Sequence, residues 1–434
     1  MGPERNNSNL GSTGAHLENS VMDHFYYVGN KLQCEGVPLA ELAARYGTPA
    51  YIYSRSAIEE NFAYIKSHLA GIPHLVCYSV KANSNLRILN LLRQAGAGFD
   101  IVSRGELARV LRVGARPDTI VFSGVGKDES EIDAALAAGI LMFNVESAGE
   151  LEAIASRARH LKKQANISIR VNPDVEADTH PYISTGQFIH KFGVPKDQAV
   201  DLFRRAARVP ELCVRGIACH IGSQILDVNP FVQALDEILE LARALEREGI
   251  RLEFLDLGGG YGIRYVDENP LEMDRLTSEL KQRLIGTPYR LIMEPGRALV
   301  GNAGVLLTRV LYIKNTGKKH FVVVDAGMND LMRPTLYGSL HQIVPVERRS
   351  EKTFTADVVG PLCETGDFLA RDREMPCVEP GDLVAVMTVG AYGYVLSSNY
   401  NSRPRPPEVM VSGSTAELIR PRERLEDLMT GEVL

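Results

Sequence analysis

The sequence predicts an α/β protein in which a (β/α)8 TIM barrel is joined to a second, mostly β-sandwich domain. Eight short apolar runs, most of them separated by amphipathic helical patterns, occupy about 220 residues, which suits a (β/α)8 barrel in number and length. After Pro295 the helical patterns give way to β-like runs and turns. A doubly wound open sheet is the alternative, and the lack of a G-x-G-x-x-G sequence after the first run weakens it.

The eight apolar runs are predicted barrel strands, and the segments between them carry helix signals. Ser103, Asp128 and Ser147 each precede a helical pattern and are followed three residues later by a glutamate, which predicts N-terminal capping boxes. Gly96 and Gly114 stand where two of the helices should end. The predicted strands are residues 74–80, 98–102, 119–123, 142–145, 167–171, 214–220, 254–257 and 290–293.

The chain outside the barrel pattern has a β-rich texture. Residues 38–46 have apolar positions at helical spacing and stop at Gly47, and residues 51–53 read as a strand. Two runs, 305–313 and 320–324, flank Asn315-Thr316-Gly317, which predicts a hairpin. Further β-like runs are predicted at 355–359, 383–389 and 409–411. The barrel is therefore expected to be inserted between two parts of one β domain.

A chain of 434 residues is too long for one ordinary core, so two domains are expected. We predict a disordered leader or expression remnant at 1–22 and the first part of the β domain at 23–54. The barrel is predicted at 55–298 and the rest of the β domain at 299–434. The polar leader lacks the apolar stretch of a signal peptide.

Composition excludes several classes of protein. The 48 basic and 54 acidic residues give a net charge of −6 at pH 7, which argues against a nucleic-acid or membrane-surface partner. No apolar run approaches the length of a membrane span. The six cysteines include no C-x-x-C pair, so neither a disulfide framework nor a metal site is expected, and a reducing cytoplasm suits them. The composition predicts a cytoplasmic enzyme or binding protein.

Lys81 follows the first apolar run, in the stretch YSVKAN. If the run is a strand, Leu75, Cys77, Ser79 and Lys81 share one face, and the lysine lies at the strand tip pointing into the barrel. A lysine in a partly desolvated pocket has a lowered pKa, and its free amine can attack a carbonyl. Taken alone, the residue is better interpreted as a lysine that extends out of a strand end.

Other polar residues and glycines end the predicted strands, where a barrel carries its functional groups. Gly258-Gly259-Gly260 would let the backbone approach a phosphate closely. A reactive lysine and a phosphate cradle in one barrel suggest pyridoxal 5′-phosphate. Glu294 is placed to keep the ring nitrogen protonated, and His220 to stack on the ring. The residues that end or nearly end strands are Lys81, Asp100, Glu146, Arg170, His220, Gly258-Gly259-Gly260 and Glu294.

Six motifs together resemble the fold-type III pyridoxal-phosphate decarboxylases: YSVKAN, HIGSQ, LGGG, EPGR, CETGD from Cys363 and GAYGY from Gly390. They stand in the expected order between about Asp23 and the C-terminus. The resemblance implies an alanine-racemase-like barrel with a β domain, working as a homodimer with shared active sites. Within the family, the chain resembles members that convert meso-2,6-diaminopimelate to L-lysine and CO2, the last step of lysine biosynthesis.

The resemblance also implies roles for individual residues. Lys81 would hold the cofactor covalently, His220 would stack on its ring and Glu294 would pair with its ring nitrogen. Cys363 and Glu364 would come from the partner subunit, with Cys363 as the acid that protonates the α carbon. The implied phosphate contacts are Ser223, Gly259, Gly260, Gly296, Arg297 and Tyr392, and the implied substrate contacts are Arg297, Arg333, Tyr337, Glu364 and Tyr392.

Several alternatives remain open at this point. One alternative is another fold-type III decarboxylase that acts on ornithine, arginine, lysine or a related amino acid. The simple diamino acids among these would need an acidic distal pocket, whereas Arg297 and Arg333 suit the second carboxylate of diaminopimelate. An inactive regulatory homologue would tend to lose the cofactor lysine or the phosphate glycines, and this chain keeps both. A cofactor-free Schiff-base aldolase is the third alternative. The long connection at 173–193 has the length of a lid, and no catalytic role is predicted for it.

Overall fold

The computed structural model describes residues 24–175 and 191–434. The predicted leader and residues 176–190 of the long connection lie outside the described residues. Within the described parts, none of the helices is both long enough and apolar enough to cross a membrane.

The described residues form 21 strands and 11 α-helices. The strands are β1 (Phe25–Val28), β2 (Lys31–Cys34), β3 (Val37–Pro38), β4 (Ala50–Ser54), β5 (His74–Ser79), β6 (Gly98–Ile101), β7 (Ile120–Phe122), β8 (Met142–Val145), β9 (Ala165–Asn172), β10 (Val194–Pro195), β11 (Leu212–Ala218), β12 (Phe254–Asp256), β13 (Arg290–Met293), β14 (Gly304–Asn315), β15 (His320–Val324), β16 (Ile343–Pro345), β17 (Thr353–Val359), β18 (Phe368–Pro376), β19 (Leu383–Val386), β20 (Glu408–Ser412) and β21 (Thr415–Arg420). The helices are α1 (Leu39–Tyr46), α2 (Arg55–His68), α3 (Leu86–Ala95), α4 (Arg104–Arg112), α5 (Glu129–Ala138), α6 (Ala148–His160), α7 (Lys196–Ala207), α8 (Asn229–Arg247), α9 (Met273–Leu284), α10 (Arg297–Val300) and α11 (Arg333–Tyr337).

Eight parallel strands close into a barrel in the order β5, β6, β7, β8, β9, β11, β12 and β13, and β13 pairs back with β5. Each of the eight predicted runs overlaps one of these strands. The predicted fold class, a barrel with a separate sheet domain, is confirmed. Because all eight strands point the same way, their carboxyl ends share one rim.

Residues of β5 alternate between two packing environments, as the sequence predicts. Leu75 and Cys77 belong to a small buried cluster that includes Phe254 and Ile292 from other barrel strands. Val76 and Tyr78 belong to the large core that packs strands against helices. The alternation thus separates the inside of the barrel from its helix-facing surface.

The predicted helix caps form, with one correction. The side chains of Ser103, Asp128 and Ser147 each accept a hydrogen bond from the backbone amide three residues later. Only Asp128 and Glu131 exchange both bonds of a capping box. The glutamates of the other two helices accept from the amide that precedes the cap residue, because their side chains reach one residue further back.

The second domain is a sheet that includes one strand, β4, from the part of the sequence before the barrel. Strand β4 lies between β14, to which it is antiparallel, and β20, to which it is parallel. The predicted hairpin is confirmed, since β14 and β15 pair antiparallel. Tyr51 and Tyr53 of β4 pack in the core shared with the barrel, whereas Ala50 and Ile52 pack in the core of the β domain. Strand β4 therefore joins the two cores.

Candidate functional site

A cavity of about 930 Å³ opens at the carboxyl ends of the barrel strands, between the barrel and the β domain. Its wall brings together every residue to which a catalytic, cofactor-binding or substrate-binding role was assigned, except Cys363 and Glu364. The predicted residues that line it are Lys81, His220, Ser223, Gly259, Gly260, Glu294, Gly296, Arg297, Arg333, Tyr337 and Tyr392.

Lys81 lies in a short 3-10 turn, Val80–Ala82, directly after β5 ends at Ser79. The strand predicted at 74–80 therefore ends one residue early, and the lysine lies in the turn that follows the strand, which corrects its predicted place at the strand tip. The amine still lies in the cavity, 3.2 Å from Oδ2 of Asp100. Asp100 is fully buried on β6, and its Oδ2 also accepts from the Ser79 hydroxyl at 2.7 Å.

The pKa of Lys81 is raised, which contradicts the prediction of a lowered value. Burial is the largest single effect and acts to lower this pKa, but the charges of Asp100, Tyr392 and Glu294 and the hydrogen bond to Asp100 together outweigh it. These partners come from β6, from the end of β13 and from the β domain. The sequence around Lys81 therefore does not reveal the direction of its pKa shift. Before it meets a carbonyl compound, the amine is an ammonium held on a buried carboxylate.

Two buried carboxyl groups lie side by side where β12 and β13 end. The Asn144 side-chain amide donates to Oδ2 of Asp256 at 3.1 Å and to Oε1 of Glu294 at 3.4 Å. Burial raises the pKa of Glu294 well above its ordinary value, and the charges of Asp100 and Asp256 raise it further. Burial also raises the pKa of Asp256. Because adjacent buried carboxyls do not readily ionise together, the pair retains a proton unless a cation or an N–H donor arrives.

His220 is a neutral imidazole with a defined orientation. Its Nδ1 accepts a hydrogen bond from the Gly259 amide at 3.1 Å. Burial lowers the pKa of His220 well below its ordinary value, and the positive charges of Arg170 and Lys81 lower it further. Since Nδ1 accepts, the ring proton of the neutral form sits on Nε2. The ring offers a flat, uncharged face beside the cavity.

Close backbone packing requires glycine in the Gly258-Gly259-Gly260 triplet. A Cβ at Gly259 would lie 2.2 Å from the backbone oxygen of Glu294, and one at Gly260 would lie 2.2 Å from that of Gly222. The Gly258 amide donates to Oδ1 of Asp256 at 2.9 Å, and the Gly259 amide is bonded to His220. The triplet thus presents backbone without side chains to the cavity, and the Gly258 amide connects it to the carboxyl pair.

Two arginines lie over one aromatic ring on the β-domain side of the cavity. The guanidinium carbons of Arg297 and Arg333 lie 5.5 Å and 4.7 Å from the centroid of Tyr265. Arg297 also donates to the Tyr265 hydroxyl and, at 3.0 Å, to the Ser223 hydroxyl. Both side chains are buried, and across residues 24–175 and 191–434 neither forms an ion pair with a carboxylate. A buried positive pair of this kind is suited to an incoming anion.

The β domain supplies part of the cavity wall. Helix α11 carries Arg333 and Tyr337 at its two ends. Tyr392 stands in the segment between β19 and β20, where its amide donates to the Ala82 carbonyl at 2.8 Å. The Arg297 guanidinium lies 5.1 Å from the Tyr392 ring centroid. The site is therefore built across both domains.

Cys363 and Glu364 lie outside the cavity of their own chain. The Cys363 thiol is exposed, and Glu364 lines a separate, mainly apolar hollow of about 680 Å³. Asp367 holds this loop, because its carboxylate accepts from the amides of Met328 at 2.6 Å and Leu362 at 2.7 Å. The two residues thus lie on the surface of the chain, outside its own cavity.

Four residues that shape the site escaped prediction: Asn144, Asp256, Tyr265 and His341. Asn144 and Asp256 lie inside two of the predicted strands, and a polar residue within so short an apolar run was a usable signal. No local pattern distinguishes Tyr265 or His341, since each acts through contacts with arginines that form only when the chain folds.

The donor set of the cavity fits pyridoxal 5′-phosphate. Lys81 offers an amine for the aldehyde, and the buried Glu294 offers a carboxyl for the ring nitrogen. Gly296 lines the cavity, and a Cβ there would lie 3.0 Å from the Ala82 side chain, so close packing at this turn, as at the triplet, favours a residue without a side chain. One carboxylate oxygen of Asp100 and Nε of Arg297 are buried and lack a hydrogen-bond partner in the part of the chain that the structure describes.

Comparison with known proteins gives a consistent result. Residues 55–301 match the family described as pyridoxal-dependent decarboxylase, pyridoxal binding domain. A diaminopimelate decarboxylase of Pseudomonas aeruginosa is 51% identical over 413 residues, which cover 95% of this chain and 99% of the relative. A diaminopimelate decarboxylase of Neisseria meningitidis serogroup A is 52% identical over 403 residues, covering 93% and 99%.

Solved structures resemble the whole fold. Diaminopimelate decarboxylase from Helicobacter pylori, complexed with L-lysine, superposes with a TM-score of 0.87 at 43% identity, covering 90% of this chain and 98% of that one. The enzyme of the same name from M. jannaschii, in co-complex with L-lysine, gives a TM-score of 0.90 at 36% identity, covering 95% and 98%.

Proposed function

The chain belongs to the pyridoxal-dependent decarboxylases, and on that basis we propose that it converts meso-2,6-diaminopimelate to L-lysine and CO2. One observation carries the substrate assignment: Arg297 and Arg333 form a buried pair with no carboxylate partner among the described residues. The distal carboxylate of diaminopimelate matches their forked donors. Ornithine, arginine or lysine would bring a distal cation towards two cations, so that alternative is not favoured. Relatives about half identical over nearly the full length carry the same name.

In this proposal the cofactor is held by residues of both domains. Lys81 would hold its aldehyde carbon, His220 would lie against its ring, and Glu294 would keep its ring nitrogen protonated. Its phosphate would be held by Ser223, Gly259, Gly260 and Tyr392, together with the backbone at Gly296 and Arg297. The bound cofactor supplies an electron sink for the pair of electrons that CO2 leaves behind. Asp256 keeps Glu294 in place through Asn144, and the buried setting excludes water from that end of the site.

The substrate is oriented by the arginines and protonated from another subunit. Arg297, Arg333, Tyr337 and Tyr392 bind the distal carboxylate end, and Glu364 of the partner subunit takes the distal amine. Cys363 of the partner subunit donates the proton to the α carbon, since a thiol can act as a general acid. The surface position of both residues supports a homodimer with shared sites. The free cysteines support the cytoplasmic location that we also propose.

Product analysis tests the proposal. Purified protein is incubated with meso-diaminopimelate, ornithine, arginine or lysine, with the cofactor removed and then restored, while CO2 and the amine product are quantified. L-lysine and CO2 in equal amounts from meso-diaminopimelate, only with pyridoxal phosphate, are expected. Faster turnover of a simple diamino acid would contradict the substrate, and cofactor-independent turnover would contradict the chemistry.

A further inference from the structure

His341 lies behind Arg333, away from the cavity, and is fully buried. Its Nε2 is 3.0 Å from Nη1 of Arg333, and its Nδ1 is 2.8 Å from the carbonyl oxygen of Met387. A guanidinium can only donate a hydrogen bond and a carbonyl can only accept one. The ring must therefore carry its proton on Nδ1, which donates to Met387, while the lone pair of Nε2 accepts from Arg333.

The surroundings of His341 oppose a second proton. Its pKa is lowered to about 3, first by burial and then by the charges of Arg333, Arg297 and Arg373, while the Met387 carbonyl acts against them. The Tyr265 ring meets the imidazole edge-on, at 5.2 Å between centroids and 89° between planes. The charges that face the ring in the described structure are these three arginines, so the imidazole stays a neutral acceptor at the pH of the cell.

We propose that His341 is a positioning residue that holds Arg333 for the distal carboxylate of the substrate without neutralising its charge. A carboxylate at this place would also hold the guanidinium, but it would compensate the positive charge that the substrate needs. A neutral imidazole occupies one N–H of Arg333 and leaves the charge and the other N–H groups for the cavity. The inference rests on the proposed function and specifies how the site for the distal carboxylate keeps its positive charge.

Two variants of equal length separate holding Arg333 from neutralising it. In His341→Gln, the amide oxygen remains a neutral acceptor, so the KM for meso-diaminopimelate is expected within about threefold of wild type, as for a neutral bond exchanged for another. In His341→Glu, the carboxylate pairs with Arg333, and the KM should rise about ten- to hundredfold with kcat changed far less. The Kd of pyridoxal phosphate should stay unchanged in both. Equal KM values for the two variants would overturn the inference.

Controls keep this test independent of folding and of the substrate assignment. His320→Glu places a carboxylate at an exposed histidine of the same domain and should leave the KM unchanged. If His341→Glu fails to fold, ¹⁵N NMR of the histidine-labelled wild type provides the second test. The His341 signal is identified by its absence in His341→Gln, and it should show a neutral ring protonated on Nδ1 from pH 5 to 8. A ring that titrates in that range would overturn the inference. A wild type that does not decarboxylate meso-diaminopimelate contradicts the proposed function alone, because the NMR result does not depend on turnover.

Discussion

Replacing Gly259 with alanine should damage the cofactor site through the backbone. The added Cβ would lie 2.2 Å from the Glu294 carbonyl oxygen, about 1.2 Å inside the shortest ordinary contact of 3.4 Å. The Glu294 oxygen cannot retreat freely, because it accepts from the Ser79 hydroxyl at 3.2 Å. Overpacking of this kind costs about 1–3 kcal/mol, and displacing Glu294 moves the carboxyl that meets the ring nitrogen. We expect the Kd of pyridoxal phosphate to rise at least about fivefold, the equivalent of about 1 kcal/mol.

Gly149 provides the matched control for this prediction. It lies in α6, and a Cβ there would have no atom within 4 Å. Gly149→Ala should therefore leave cofactor binding unchanged and stabilise the protein by about 0.4–1 kcal/mol. Cofactor titration by absorbance and thermal unfolding of the apoprotein measure both effects. If Gly259→Ala binds the cofactor and unfolds like Gly149→Ala, the packing account of the triplet is wrong.

Two further predictions concern the carboxyl pair and the thiol. Burial raises the pKa of Asp256, so in the folded state the carboxyl pair keeps a proton that the unfolded chain releases. The stability of the apoprotein should therefore be highest near pH 4 and should fall as the pH rises through about 6. In Asp256→Asn, the free energy of unfolding of the apoprotein, measured with denaturant from pH 4 to 8, should depend less on pH than in wild type. An unchanged dependence on pH would refute the account of the buried carboxyl. Cys363→Ala should lower kcat about a hundredfold or more while cofactor binding persists, whereas Cys377→Ala, at another exposed thiol, should not. A Cys363→Ala enzyme with wild-type kcat would exclude the thiol as the acid.

The barrel was predictable because its signals are local. Each strand is indicated by an apolar run of a few residues. In β5, the alternation of side chains places Leu75 and Val76 in different hydrophobic clusters. The shared rim then follows from parallel strands alone, which is why Lys81, His220 and Glu294 meet in one cavity.

What was not predictable depends on residues that meet only after folding. The sign of the Lys81 pKa shift depends on the charges of Asp100, Tyr392 and Glu294, which together outweigh burial. The need for glycine at 259 comes from the Glu294 backbone. The state of Arg333 depends on His341 and Tyr265, which the β domain and a barrel loop bring to it. Strand register and domain packing determine all three contacts, and no local sequence pattern encodes them.

Replacement of Lys81 tests the central claim, that this lysine anchors the cofactor which decarboxylates diaminopimelate. The measurement is L-lysine formation from meso-diaminopimelate, recorded together with the visible absorption band of the bound cofactor, in wild type and Lys81→Ala. Loss of the band and of nearly all lysine formation is expected, because the substitution removes the cavity amine, bonded to Asp100, that would hold the cofactor. A Lys81→Ala protein that forms lysine at the wild-type rate would contradict the claim.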